Sequence, residues 1–413
     1  MNRRDFLKTA IASAAATQVT SLVAQEAPKL NKVSSLSNGP QVARRTLRNT
    51  DISVPLLGYG MMRLPTNGDK IDYEKAEALV RRALEAGINY FDTAYFYHKG
   101  QSEKFCGDIL PKFPRDSYYL TSKMPVGLCK TEADVERIFN EQLERCKADY
   151  FDFYLFHNMN ANVWKTATKL HVWDFLQKKK AEGKVRKIGF SFHDKFETLK
   201  KIADAYPWDF AQIQLNILDW ELYHSREQYE ILTERNIPVV IMEPLRGGAL
   251  ASLSQDANDI LKKANPNLTT AAWAFRFVAS LPNVMTVLSG MSKMEHLEEN
   301  IKTFSEFKPL TDDERKVLDE AVQAYRKAGA IPCTGCRYCM PCPAGVEIST
   351  IFGLYNQFKL NHNKWQFKNG YNGIPDDARV DSCVECESCL KKCPQQLQIP
   401  TLLKKVEEEV KQN

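Results

Sequence analysis

Four residues with complementary acid–base chemistry stand at or just beyond the ends of successive apolar runs. Asp92 closes the run Ile88–Phe91 in GINYFDTAYFYHKGQSE, and Tyr97 follows five residues later. Lys123 comes directly after YYLTS, and His157 directly after YFDFYLF. A free phenol, near pKa ~10, is a poor acid at neutral pH. An ammonium beside it favours phenolate, and a carboxylate holds that ammonium charged and in place. Such a trio, with an imidazole to orient a polar group, suits proton delivery to an oxygen on which negative charge develops. For any one residue alone, a satisfied polar side chain is the simpler explanation. Four together favour chemistry.

A second chemistry is concentrated near the C-terminal end. Of eleven cysteines, Cys106, Cys129 and Cys146 are scattered and read as buried, inert thiols. The other eight form two runs. CTGCRYCMPCP holds Cys333, Cys336, Cys339 and Cys342; CVECESCLKKCP holds Cys383, Cys386, Cys389 and Cys393. The second run fits C-x2-C-x2-C-x3-C-P, the bacterial ferredoxin pattern, in which three thiolates hold one [4Fe–4S] cube and the fourth ligates the other. The first run has two residues, not three, before its last cysteine. By the ferredoxin crossover, Cys333, Cys336, Cys339 and Cys393 would hold one cluster, and Cys342, Cys383, Cys386 and Cys389 the other. The shortened spacer leaves that pairing open, with two clusters favoured over one. Two four-thiolate zinc sites or four disulfides fit less well. Zinc usually takes separated pairs of ligands, and adjacent C-x2-C disulfides are strained.

The elements that must position the first four residues alternate strand-like and helix-like. An opening strand over Ser53–Leu57 precedes a helix over Tyr73–Ala86, ended by Gly87, and seven further strand–helix units run to Thr303. Alternation implies a parallel sheet, and eight units in ~260 residues suit a closed (β/α)8 TIM barrel. Barrel active sites form at the strand C-termini, where Asp92, Lys123 and His157 fall. Beyond residue 310 the pattern changes. Thr311, before Asp312, Asp313 and Glu314, caps a helix that stops at Gly329 and leads into the cysteines. The expected organisation is a leader over 1–24, a linker over 25–42, the barrel over 43–310, and an appended α-helical, ferredoxin-like iron–sulfur module over 311–413.

FDTAYFYHKGQSE, TSK and LFHN together resemble the Asp, Tyr, Lys and His of the aldo/keto reductases, and the resemblance spans about residues 45–305. It implies Tyr97 as proton donor, Lys123 as its tuner, Asp92 as the lysine's anchor and His157 as carbonyl orienter. It also implies an NAD(P) site. Ser191 and Gln212 would hold the carboxamide, the loop Pro244, Leu245 and Gly247 would contact the pyrophosphate, and Glu299 and Asn300 would meet the adenine. Phe192 replaces the Asn that commonly follows the Ser, and Met242 stands where many members stack a Tyr. Gly290 and His296 replace the cations of NADPH-preferring members, with Lys293 a partial substitute, so NADH and NADPH both stay open. A barrel of this family with a ferredoxin-like tail is a subfamily that this chain resembles throughout.

The first residues, MNRRDFLKTAIASAAATQVTSLVA, resemble a twin-arginine signal with cleavage near Ala24. That implies the twin-arginine export machinery as a partner and a periplasmic or otherwise exported protein. The apolar run is too short for a stable membrane span after processing. A net charge of +5 in 413 residues, with no basic face, argues against nucleic acid. The leading expectation is an exported oxidoreductase acting on a small carbonyl or alcohol, its clusters exchanging electrons with the barrel's cofactor or with a redox partner protein. The alternatives are an electron carrier whose barrel is a docking scaffold, and clusters that serve structure alone.

Overall fold

The computed structural model describes residues 39–412 apart from 48, 49 and 51. The expected leader over 1–24 and most of the linker lie outside the described residues. Eight parallel strands close a barrel in sequential order. They are β1 (Leu57–Gly60), β2 (Tyr90–Asp92), β3 (Tyr119–Met124) and β4 (Phe151–Met159). The second half is β5 (Val185–Phe192), β6 (Phe210–Gln214), β7 (Val239–Met242) and β8 (Val284–Ser289). β8 pairs with β1 through Val287 and Leu57, which closes the cylinder. The strands are buried nearly throughout, as expected when helices cover a parallel sheet.

Two expectations are corrected. The first barrel strand starts at Leu57, not Ser53. Ser53–Pro55 instead pairs antiparallel with Arg44–Thr46. The guanidinium of Arg45 in that hairpin donates to the carbonyls of Ala279, Leu281 and Val284, at and before the start of β8. An apolar run interrupted by Pro55 thus serves two elements, because proline cannot donate to a ladder.

The helix Asp312–Lys327, expected in the appended module, packs on the barrel. Its capping box is present, with Thr311 accepting from Glu314 N at 3.2 Å. Its apolar face (Leu318, Ala321, Val322, Tyr325) belongs to the barrel's hydrophobic cluster. Arg276, on the helix Thr270–Ala279, grips Glu314 through two hydrogen bonds of 2.7 and 2.9 Å. The separate core begins only at Ile331, where Ile351, Phe352, Tyr355 and Val406 pack between the helices Ile348–Asn361 and Ile399–Gln412. Among the described residues no helix is long and apolar enough to cross a membrane.

Candidate active site

The turn carrying Tyr97 is built by unusual backbone. His98, Lys99 and Gly100 all have positive φ (51°, 56° and 86°), and His98 Nε2 accepts from Leu64 N at 3.1 Å. This brings the phenol back over the end of β2. Lys123 reaches it from β3, and all three ammonium hydrogens have partners. Its Nζ donates to Asp92 Oδ1 at 2.5 Å, Thr93 O at 2.7 Å and Tyr97 Oη at 3.2 Å. Behind it, Gln142 donates to the Lys123 carbonyl at 3.1 Å and to Ser122, which binds the buried Glu103. Gln142 comes from the helix Glu132–Cys146, Ser122 from β3 and Glu103 from the helix Gln101–Ile109, and sequence reading gave none of the three a part in the site. They are a buried, mutually bonded set, which fixes rotamers.

His157, at 9% exposure, stands beside Tyr97, the ring centroids 6.1 Å apart. Burial pushes its imidazole well below the usual range, and Lys123 and His193 push the same way, so the ring is neutral. Its Nδ1 is buried without a partner among the described residues. Burial likewise raises the Asp92 carboxyl, opposed by the Lys123 ion pair.

The phenol departs from expectation. Sequence reasoning had the adjacent ammonium lower its pKa, yet burial pushes Tyr97 well above its ordinary value, with Asp92 and Glu243 acting in the same direction. Lys123 lies closer to Asp92, at 2.5 Å, than to Tyr97, at 3.2 Å. Tyr97 is a protonated hydroxyl at neutral pH, as a phenol of ordinary pKa ~10 already would be. The cation's influence on it grows only when the proton leaves.

All four residues except Lys123, which sits behind Tyr97, line one cavity of about 370 Å³ at the C-terminal ends of the strands. The same cavity is lined by Ser191, Gln212, Pro244, Leu245, Gly247, Glu299 and Asn300, so the structure brings every expected cofactor contact into one groove. Gln212 gives Nε2 to Asp92 at 3.3 Å while its Oε1 is buried without a partner among the described residues. Asn300 donates to Ser289 at 3.1 Å, and Glu299 accepts from Thr269. An orphaned amide oxygen and an unpartnered imidazole nitrogen, on two residues of one cavity lining, fit a ligand that brings its own polar groups. The groove fits a nicotinamide dinucleotide.

Arg63 escaped the sequence reading. It follows β1, and a Cβ on Gly290 would come within 2.9 Å of the Arg63 Cβ. The missing side chain at 290 thus leaves room for a cation from another strand. Arg63 pairs with Glu243 at 3.5 Å and donates to Thr334 O at 3.4 Å. Nothing local in GYGMMRL, the stretch that holds it, showed that this arginine faces Gly290.

The eight clustered cysteines gather in two groups of four. Cys333, Cys336, Cys339 and Cys393 line one small cavity, and Cys342, Cys383, Cys386 and Cys389 line another. All are free thiols. Among the described residues no three His, Cys, Asp or Glu side chains converge to hold a single ion. A cube spreads four thiolates over four irons, and each small cavity is lined by four cysteines. The donor sets fit iron–sulfur clusters.

Residues 56–323 match the family model for the aldo/keto reductase family. The chain belongs to that family. Residues 332–397 match a 4Fe-4S dicluster domain. An aldo-keto reductase of Mycolicibacterium smegmatis (strain ATCC 700084 / mc(2)155) is 30% identical over 68% of this chain and 93% of its own length. The NADH-specific methylglyoxal reductase of Escherichia coli (strain K12) is 23% identical over 68% of this chain and 98% of its own. Among solved structures, the holo form of aldo-keto reductase AKR11C1 from Bacillus halodurans superposes with a TM-score of 0.58 at 25% identity, covering 68% of this chain and 96% of that one. The protein is thus an aldo/keto reductase oxidoreductase with an added 4Fe-4S domain.

Proposed function

We propose that the chain is an exported oxidoreductase that moves hydride between a nicotinamide cofactor and a small carbonyl or alcohol, coupled to electron transfer through two [4Fe–4S] clusters. The observation that carries this is the Lys123 ammonium, bonded at once to Asp92 and Tyr97 beside a groove holding Ser191 and Gln212. Ser191 and Gln212 would grip the carboxamide, Pro244–Gly247 and Arg63 the phosphates, and Glu299 and Asn300 the adenine. A bound nicotinamide supplies or accepts the hydride. Tyr97 gives its proton to the carbonyl oxygen as negative charge grows there, and Lys123 stabilises the phenolate left behind. Neutral His157 orients that oxygen through a ring N–H. The two cysteine groups support the crossover pairing.

NAD(P)H oxidation by the cluster-loaded protein, tested against a panel of carbonyl compounds, checks this reading. Tyr97→Phe should lower the rate ~10²–10⁴-fold, the span of general acid–base catalysis. Equal rates would retire the catalytic assignment. Export rests on the Arg3–Arg4 motif, and Arg3→Lys with Arg4→Lys should keep a reporter fusion inside the cell. The electron-carrier reading is favoured by one observation. Gly247, in the loop for the pyrophosphate, is packed so tightly on the cysteine module that a Cβ there would lie 1.9 Å from Thr334 O. It predicts dithionite-bleachable clusters with no dinucleotide oxidation at all.

A further inference from the structure

The two cysteine groups are not equivalent. Thr334, Cys336, Pro394 and Gln395 line both the barrel cavity and the small cavity of Cys333, Cys336, Cys339 and Cys393. Those four residues are a shared wall. The other group, with Cys386 exposed, contributes nothing to the barrel cavity, and among the described residues only Ile348 lines both cysteine cavities. The order is barrel cavity, inner group, outer group, solvent.

The wall is fastened on both sides. Gln395 and Gln214, at the end of β6, exchange amide hydrogen bonds of 2.8 Å in each direction, both side chains buried. Tyr223 Oη donates to the Gln395 carbonyl at 2.7 Å. Gln214 also donates to Asp219 at 2.7 Å, and Asp219 is held by the buried Arg246 at 3.0 Å, one residue before Gly247. Tyr338, between Cys336 and Cys339, enters the barrel cavity alongside Tyr97 and His157.

We propose that the inner cysteine group and the barrel cavity form one composite site. The module supplies Tyr338 and Gln395 to the cavity wall, and a nicotinamide dinucleotide or carbonyl compound held by the barrel lies against the inner cluster. The outer cluster is insulated from cavity occupancy and from the barrel's loop. This rests on the iron–sulfur reading above, but its first test is independent of hydride chemistry.

That test is amide hydrogen exchange of residues 243–251 in the cluster-loaded full chain. Cys336→Ser should raise exchange there roughly tenfold, since opening of the loop then loses its wall, while Cys386→Ser changes it by less than about twofold. Gln395→Ala keeps every cysteine and should act like Cys336→Ser if the latter misfolds. Equal exchange in all variants, or the reverse order, overturns the proposal. The second test adds NADPH or NADH to dithionite-reduced protein, with binding followed by nicotinamide fluorescence. One of two cluster EPR signals should shift, and Tyr338→Ala should diminish the shift. Binding that moves neither signal, or both equally, overturns the proposal. Absence of any dinucleotide binding would sink the cofactor reading above, while the exchange experiment would still decide this one.

Discussion

The barrel mouth and the cysteine module hold reactive groups by opposite means. Lys123 is fully buried on a strand, with three hydrogen-bond partners from the chain itself. The cysteines lie mostly on segments outside regular structure, half-exposed or, at Cys386, exposed. Their sulfurs make few bonds within the protein, such as Cys333 Sγ accepting from Gly335 N at 3.4 Å. The difference is one of preorganisation. The polypeptide itself positions the acid–base residues through hydrogen bonds, whereas eight thiols with so few protein partners are expected to draw on cluster binding for their final arrangement.

Iron removal should break this comparison most visibly. Chelation is expected to expose 331–412 to protease completely while the barrel up to Lys327 stays resistant, because the two hydrophobic clusters are separate. Limited proteolysis with mass mapping checks it. Next is Lys123→Met, which leaves Asp92 buried without its cation. It should cost about 3–5 kcal/mol of barrel stability in urea unfolding, in addition to abolishing turnover.

A smaller effect follows from the histidines. Burial holds His157 well below its ordinary pKa and His193 at about 4. From pH 6.5 down to about 4 the unfolded chain takes up protons at these rings and the folded chain does not, so stability falls with pH in that window. Wild type should lose up to about 3 kcal/mol more than His193→Gln over that interval, the remaining titrating groups cancelling in the difference. Smallest is Thr311→Ala, which removes the cap of the helix Asp312–Lys327. A loss of about 1 kcal/mol should appear in the barrel transition, because that helix belongs to the barrel. Loss confined to the module would return the helix to it.

Much of the site was readable from sequence for a local reason. A parallel barrel puts strand C-termini in one plane, so an Asp and a Lys at run ends must be neighbours. Ser191, Gln212 and Asn300 came instead from the resemblance to the aldo/keto reductases, Asn300 lying on the helix Met294–Ser305 rather than at a strand end. Two boundaries were misread because their signals were local and their partners distant. Val54 and Leu56 look like barrel residues until the Arg44–Thr46 strand claims Ser53–Pro55. The capping box of Thr311 and Glu314 marked a helix correctly, but only contact with Arg276 shows which core owns it.

Residue types and their spacing alone determined that this chain carries an acid–base set on a barrel and eight thiolates patterned for iron–sulfur. Tertiary structure decided the rest: that Arg63 fills the place left by Gly290, that burial pushes the Tyr97 phenol up rather than down, and that Cys336 rather than Cys386 borders the barrel cavity. Short-range pattern sets which chemistry a side chain can perform. Which groups share a wall depends on segments far apart in sequence, such as Gln214 and Gln395, meeting across a buried surface, and no local pattern encodes that meeting.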